Sequence, residues 1–205
     1  MILILSLNSC GQNDEIIKRD ELYKKGIDEI KLVILGESPD YKKAINYFNQ
    51  SLKIDPRFSA ASYHKSECEL KSQLYLDAIQ TTDKSLKLND KNKFSALLYT
   101  ISGLSLKING ESERAKRQFN KAIEKYEKKI KYRFNIFDSK RDFKKIDAIM
   151  NKSILLCYLD KKDEALIFLS SIPKNEENRL FLEEGREYIM EFNFDEYLRT
   201  IQSTK

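Results

Sequence analysis

The sequence contains few of the residues that interrupt helices or carry out chemistry. Its 205 residues include six glycines, three prolines, three cysteines, one histidine and no tryptophan. The shortage of glycine and proline excludes a loop-rich β protein, and a hydrophobic content of 41% is too high for a disordered chain. We therefore expect a folded, mostly helical body, and one domain is the default at this length.

The motifs of common enzyme and cofactor sites are missing as well. The sequence has no phosphate-binding glycine-rich loop, dinucleotide fingerprint, HExxH helix, CxxC pair or GxSxG elbow. His64 and Cys68 are four residues apart on a predicted helix, but two ligands make a poor metal site. Cys68 and Cys157 are expected to be buried as small apolar residues without a disulfide. No catalytic residue, metal or cofactor is predicted, and the protein is not expected to be an enzyme.

The N-terminus has an apolar run, Met1 to Leu7, that leads into Asn8-Ser9-Cys10-Gly11-Gln12. Seven residues are too few to cross a bilayer, which needs about 20. The run resembles the end of a bacterial lipoprotein signal peptide, in which an apolar stretch precedes a box closed by the cysteine that is acylated. Leu7, Ser9 and Cys10 match that box. Asn8 is an unusual occupant, and no basic residue precedes the run.

This resemblance implies a signal segment over residues 1–9, cleavage before Cys10, acylation of Cys10, and a polar tether over residues 10–15. Acylation with more than one chain gives stable attachment to a membrane. Gly11 follows the cysteine, which favours the outer membrane or cell surface over the inner membrane. The alternative is an ordinary N-terminus on a cytoplasmic protein.

A comparison of the sequence with itself at an offset of 34 residues shows an internal repeat. Tyr41, Ala44, Ile45, Ser51, Leu52 and Lys53 recur as Tyr75, Ala78, Ile79, Ser85, Leu86 and Lys87. A third copy contains Ala115, Phe119, Ala122 and Ile123. Their spacing places small, aromatic and aliphatic side chains on one face of a helix.

The pattern resembles the tetratricopeptide repeat (TPR), a helix-turn-helix unit of 34 residues. The small residue of its second helix is matched by Ala44, Ala78 and Ala115. The small residue of its first helix is matched by Gly26, Ser66 and Gly103. Pro56 matches the closing proline, and a new first helix is expected to begin around residues 58–61. Thr82 departs from the pattern, because it replaces the aromatic residue found as Phe48 and Phe119.

The resemblance implies an all-α solenoid of three to four TPR-like units with a helical C-terminal cap. The units are predicted over about residues 16–56, 57–90 and 91–132, with a degenerate unit over 143–174 and capping helices over 175–205. The loop from Lys31 to Tyr41 is some six residues longer than in the family.

In TPR proteins the first helices line a concave groove that binds protein segments. The corresponding positions here are Tyr23, Ile27, Tyr63, His64, Glu67, Thr100, Leu104 and Lys107. They mix apolar and charged groups, which suits a protein or peptide ligand held by apolar anchors. The family's carboxylate clamp is not visible, and this disfavours chaperone C-terminal peptides. Packing between repeats is the alternative role for each residue.

The segment Lys121 to Lys145 contains ten basic and four acidic residues. Its interleaved aromatic residues are Tyr126, Tyr132, Phe134, Phe137 and Phe143. Nucleic-acid binding is disfavoured, and an anionic membrane surface or an acidic protein fits the segment better. The simplest interpretation is a long second helix over residues 111–131, with aromatic residues inward and lysines solvated.

These features together predict a membrane-anchored TPR lipoprotein that scaffolds envelope-associated partners without catalysis. An immunity or inhibitor protein that sequesters a toxin is one alternative. A cytoplasmic TPR adaptor is another, and it applies if residues 1–9 are not a signal. The sequence specifies neither the partner nor the oligomeric state.

Overall fold

The computed structural model describes residues 7–31, 38–134, 143–172 and 178–203, and these residues contain ten helices and no strand. The helices are α1 (Leu7–Lys31), α2 (Tyr41–Ile54), α3 (Ser59–Lys71), α4 (Tyr75–Leu88), α5 (Ser95–Ile108), α6 (Ser112–Phe134), α7 (Phe143–Tyr158), α8 (Lys162–Ser171), α9 (Arg179–Glu191) and α10 (Phe194–Ser203). The all-α prediction is confirmed.

The chain divides into two compact units, residues 1–94 and residues 95–203. In the first unit α2 packs against both α1 and α3, and α3 packs against α4. In the second unit each helix from α5 to α9 packs against the next. Each unit thus has the solenoid-type stacking of helix-turn-helix hairpins that the repeat predicts. Within the described ranges, no helix combines the length and apolarity needed to cross a membrane.

Three hairpin turns share one backbone geometry. The residue with positive φ in each turn is Gln73 at 63°, Gly110 at 84° or Asp160 at 60°. The next amide donates to a carbonyl five residues earlier: Leu74 to Glu69 at 2.8 Å, Glu111 to Leu106 at 2.8 Å, and Lys161 to Leu156 at 2.9 Å. This is the Schellman arrangement of a helix C-terminus, in which glycine is favoured at the left-handed position. The same turn therefore closes three successive hairpins.

Aromatic rings on the second helices require glycine on the first helices. A Cβ atom at Gly26 would lie 2.6 Å from Cε1 of Phe48, and one at Gly103 would lie 2.4 Å from Cε1 of Phe119. Both rings are buried. Because no larger residue fits beneath either ring, each glycine permits the close approach of its two helices.

The hairpin formed by α3 and α4 has different residues at the positions where the flanking hairpins pair glycine with phenylalanine. Ser66 and Thr82 occupy the positions of glycine and phenylalanine, and both are fully buried. The Ser66 hydroxyl donates to the carbonyl of Tyr63 at 2.8 Å, and the Thr82 hydroxyl donates to that of Ala78 at 2.9 Å. A larger residue on the first helix therefore accompanies a smaller one on the second.

The first two hairpins are joined by a short turn at Pro56. Helix α2 ends at Ile54 and α3 begins at Ser59, which confirms the predicted stop and restart. Arg19 of α1 secures this turn, because its guanidinium lies 2.9 Å from Asp55 and 4.3 Å from the ring centre of Phe58.

The two described cysteine side chains behave as predicted. Cys68 and Cys157 are unpaired and buried. Burial raises the pKa of the Cys68 thiol to about 12 and that of Cys157 to about 11, so both stay neutral at physiological pH.

The structure continues α1 through residues 10–15, for which a tether was predicted, so that stretch is helical here. The proposed signal residues 1–6 and the side chain of Cys10 lie outside the described residues. The signal segment and the acylation of Cys10 stay predictions.

Candidate protein-binding face

Four predicted groove residues come together in the first unit. The rings of Tyr23 on α1 and His64 on α3 have centroids 5.9 Å apart, and those of Tyr63 and His64 are 4.6 Å apart. His64 Nδ1 lies 3.6 Å from Glu67 Oε2. All four side chains are partly exposed. We call Tyr23, Tyr63, His64 and Glu67 the first-helix face.

The first-helix face is positioned by the helical spacing along α3 and by aromatic rings that pack against Tyr23. His64 and Glu67 are three residues apart on α3 and therefore meet on one side of that helix. The Tyr23 ring packs against the rings of Phe48 and Phe58, whose centroids lie 5.8 Å and 5.0 Å from its own. Burial raises the pKa of the Tyr23 phenol, so it stays a neutral hydrogen-bonding group.

Glu67 is the fixed negative charge of the face. Burial alone raises the pKa of its carboxyl, but His64 and Lys71 outweigh burial and hold the pKa at about 2. Lys71 Nζ lies 3.0 Å from Glu67 Oε1 and 5.9 Å from the ring centre of Tyr41. The sequence reasoning missed Lys71, although its i+4 spacing from Glu67 could have indicated it.

Phe94 extends the face beyond the residues that the sequence suggested. Its ring stacks on Tyr63 with centroids 5.4 Å apart and an interplanar angle of 18°. The Phe94 amide donates to Asn92 Oδ1 at 2.8 Å, which fixes the turn that presents the ring. Phe94 precedes α5, so no helical periodicity marks it in the sequence.

Two of the predicted groove residues take the alternative role of packing. Ile27 packs against the buried cluster that contains Ala44, Phe48 and Cys68. Leu104 is only 4% exposed and belongs to the core of the second unit. Spacing along α5 suggested an outward position for Leu104, but neighbouring helices cover it, so the structure does not present it to a ligand.

Thr100 and Lys107 are partly exposed in the second unit. The Thr100 hydroxyl donates within its own helix to the carbonyl of Ala96 at 3.0 Å. Lys107 Nζ donates to the carbonyl of Tyr158 at 3.0 Å and lies 4.0 Å from the ring centre of Phe194. Lys107 therefore anchors the C-terminal segment and is already engaged inside the unit.

Tyr158 is a packing centre that the sequence reasoning did not identify. Its ring contacts those of Phe119, Phe192, Phe194 and Tyr197, with centroids 5.0 to 5.8 Å away. Burial raises the pKa of its phenol far above the ordinary value. These contacts attach the C-terminal aromatic residues to α7.

Lys65 and Glu69 form a structural ion pair in the first unit. Lys65 Nζ lies 2.7 Å from Glu69 Oε1 and donates to Thr81 Oγ1 at 2.6 Å, which links α3 to α4. Glu69 is 2% exposed, and burial raises the pKa of its carboxyl. Across the part of the chain that the structure covers, no three His, Cys, Asp or Glu residues are grouped to hold a metal ion. His64 and Cys68 thus have no third ligand among these residues.

The fold and the face define an all-α helical-repeat protein with a partly exposed aromatic and charged surface. No family model and no curated protein matches the sequence. Among solved structures, MamA 41-end from Desulfovibrio magneticus RS-1 is 21% identical over 82% of this chain and 77% of that chain, with a TM-score of 0.48.

Two further solved structures resemble the chain. Another MamA crystal structure is 15% identical over 91% of this chain and 89% of that chain, with a TM-score of 0.48. A tetratricopeptide repeat protein from Parabacteroides merdae ATCC 43184 is 21% identical over 77% and 66%, with a TM-score of 0.36. At these identities nothing about partners follows from the similarity.

Proposed function

We propose that this chain is a non-enzymatic protein-binding module that captures a protein or peptide segment on its first-helix face. The observation that carries the proposal is the gathering of Tyr23, Tyr63, His64 and Glu67 from two different helices onto one partly exposed surface. Tyrosine rings offer large apolar area with a polar edge, and they are enriched among the residues that dominate binding energy.

The chemistry of the face indicates what kind of segment it takes. The Tyr63, His64 and Phe94 rings supply an apolar platform, and Glu67 adds a carboxylate that stays ionised over the physiological range. An extended segment or a helix with an aliphatic or aromatic anchor satisfies the platform. The face is held in place by Phe48 and Phe58, so little ordering is required when a ligand binds.

A matched pair of tyrosine variants tests this face. The full-length chain, its Tyr63→Ala variant and a Tyr188→Ala control are each used to co-purify partners from the native envelope, followed by mass spectrometry. Tyr188 is 47% exposed on α9 in the other unit. We expect a partner that the unaltered chain and Tyr188→Ala both retain and that Tyr63→Ala loses while its helical circular dichroism is unchanged. Equal capture by all three proteins would show that Tyr63 does not contribute to partner binding and would contradict the proposal.

We further propose that acylated Cys10 anchors the module to the outer membrane or the cell surface, where it scaffolds envelope-associated partners. The support is the match of Leu7, Ser9 and Cys10 to the lipoprotein box. In detergent phase separation the native protein is expected in the detergent phase and the Cys10→Ala variant in the aqueous phase. An unchanged partition would contradict the anchor and leave the protein-binding proposal standing.

A further inference from the structure

A line of basic side chains runs along α6 in the second unit. It contains Arg114, Arg117, Lys121, Lys125 and Lys128, which we call the basic stripe. Their spacings of three and four residues place them on one side of the helix, over a length of about 21 Å. All of them are exposed except Lys125, which is partly exposed.

Packing contacts define which side of α6 carries the stripe. Lys121 Nζ and Lys125 Nζ lie 5.4 Å and 5.9 Å from the ring centre of Tyr99, so the stripe borders α5. Glu127 points the other way, because it pairs at 2.8 Å with Lys152 of α7. The basic stripe therefore borders α5, and Glu127 is turned towards α7. Two acidic groups lie beside the stripe, because exposed Glu124 is within a turn of Lys121 and Lys128 and Glu111 pairs with Arg114 at 2.5 Å.

Helix α6 has nine basic and three acidic residues, a larger basic excess than the second helices α2, with three lysines, and α4, with two residues of each sign. The exposed side of α4, also a second helix, carries Asp77 and Asp83 beside Lys84 and Lys87. A helix face that serves only for solubility commonly mixes charges in that way. The basic excess on α6 is therefore the stronger docking surface for an anion-rich partner.

The composition of the stripe distinguishes between two anionic partners. Over residues 112–131 of α6, where the side chains are described, no large apolar side chain is exposed. Protein interfaces are depleted in lysine and depend on buried aromatic or aliphatic anchors, which the stripe lacks. Clusters of four to eight lysines and arginines on a helix favour anionic lipid headgroups. We propose that the basic stripe is an electrostatic docking surface for an anionic phospholipid membrane, independent of any acyl group on Cys10.

The strength of this docking follows from the number of charges. Each basic residue close to an anionic bilayer contributes about 1 kcal/mol, which is a factor of about five in partition. Neutralising Arg117, Lys121 and Lys128 together is therefore expected to lower the partition coefficient about 100-fold. These three side chains are exposed on the outside of the helix, so their replacement leaves the core unchanged.

The experiment uses the full-length chain with Cys10→Ala, so that no acyl chain contributes to binding. Its sedimentation with phosphatidylcholine vesicles containing 30 mol% phosphatidylglycerol is compared with that on pure phosphatidylcholine vesicles, at low and high salt. The stripe variant carries Arg117→Gln, Lys121→Gln and Lys128→Gln. The control carries Lys24→Gln, Lys42→Gln and Lys53→Gln, three exposed changes in the first unit that alter net charge equally.

We expect salt-sensitive binding to the anionic vesicles alone, lost in the stripe variant and retained in the control. An equal loss in both variants would show that net charge is responsible and would overturn the proposal. Binding of a deca-glutamate peptide through the stripe, without vesicle binding, would instead assign the surface to an acidic protein segment and would also overturn it. Absence of binding to either probe is a third refutation.

Discussion

Replacing Gly103 by alanine sets two physical effects against each other. Alanine is the better helix former, and in an open helix interior the change would stabilise the protein by about 1 kcal/mol. In this chain the new methyl group would lie 2.4 Å and 2.5 Å from two ring carbons of Phe119. Contacts this short force either the ring or the helix to move.

The structure indicates which effect is larger. Overpacking a well-filled core costs typically about 1–3 kcal/mol. The upper end applies here, because Phe119 is 1% exposed and two of its ring atoms are involved. Subtracting the helix-forming gain leaves a net loss of about 2 kcal/mol, or a fall in Tm of about 4–8 °C.

The assay is thermal and urea denaturation followed by circular dichroism at 222 nm, with Gly185→Ala as the matched control. A Cβ at Gly185 would meet only the flexible end of Met150, with Sδ at 2.7 Å, so the methionine can move aside. We expect Gly185→Ala to be neutral or stabilising. If Gly103→Ala were as stable as that control, the argument from close helix approach would be refuted.

The remaining predictions concern the first unit and are measured by urea denaturation. Glu67→Gln should cost about 2–3 kcal/mol at pH 7, because the native pKa of about 2 lies below the ordinary 4.5. This stabilisation is complete above pH 4.5 and is lost as the pH falls towards 2, so the variant should show a smaller acid-induced loss. Glu69→Ala should cost about 1.5–3 kcal/mol, because partly buried Lys65 loses its ion pair and keeps only the hydrogen bond to Thr81. The pair Lys65→Met with Glu69→Leu should cost less than Glu69→Ala alone. Gln73→Gly should add about 1 kcal/mol of stability by relieving its positive φ.

Much of the fold could be predicted because its determinants are local. The offset of 34 residues indicated the hairpins, and Pro56 indicated where α2 ends and α3 begins. The small residues Gly26 and Gly103 indicated a close crossing, and the structure shows the rings of Phe48 and Phe119 that demand it. Side-chain size and helix periodicity are both readable from sequence, so these inferences succeeded.

The candidate site was harder to predict because it depends on what neighbouring helices cover. Spacing gives the angle of Leu104 around α5, but it does not show that the packing of its unit leaves this side chain 4% exposed. Lys107 likewise looked available, and the structure engages it with Tyr158 and Phe194. Phe94 joins the face from a turn, where periodicity has no meaning.

The departure at Thr82 is better understood as an exchange of volume between two helices than as decay of the repeat. Where the second helix has Phe48 or Phe119, the first has glycine, and where it has Thr82, the first has Ser66. Thr82→Phe alone should therefore destabilise the protein by about 1–3 kcal/mol through overpacking.

Adding Ser66→Gly to Thr82→Phe recreates the pair found in the flanking hairpins and should recover a large part of that loss. The measurement is a double-mutant cycle of unfolding free energies, in which contacting positions show coupling of about 0.5–3 kcal/mol. Additive effects would mean that the two positions are independent. The glycine and aromatic pairs of the other hairpins would then be separate adaptations, and the repeat would not conserve the summed volume at its helix crossing.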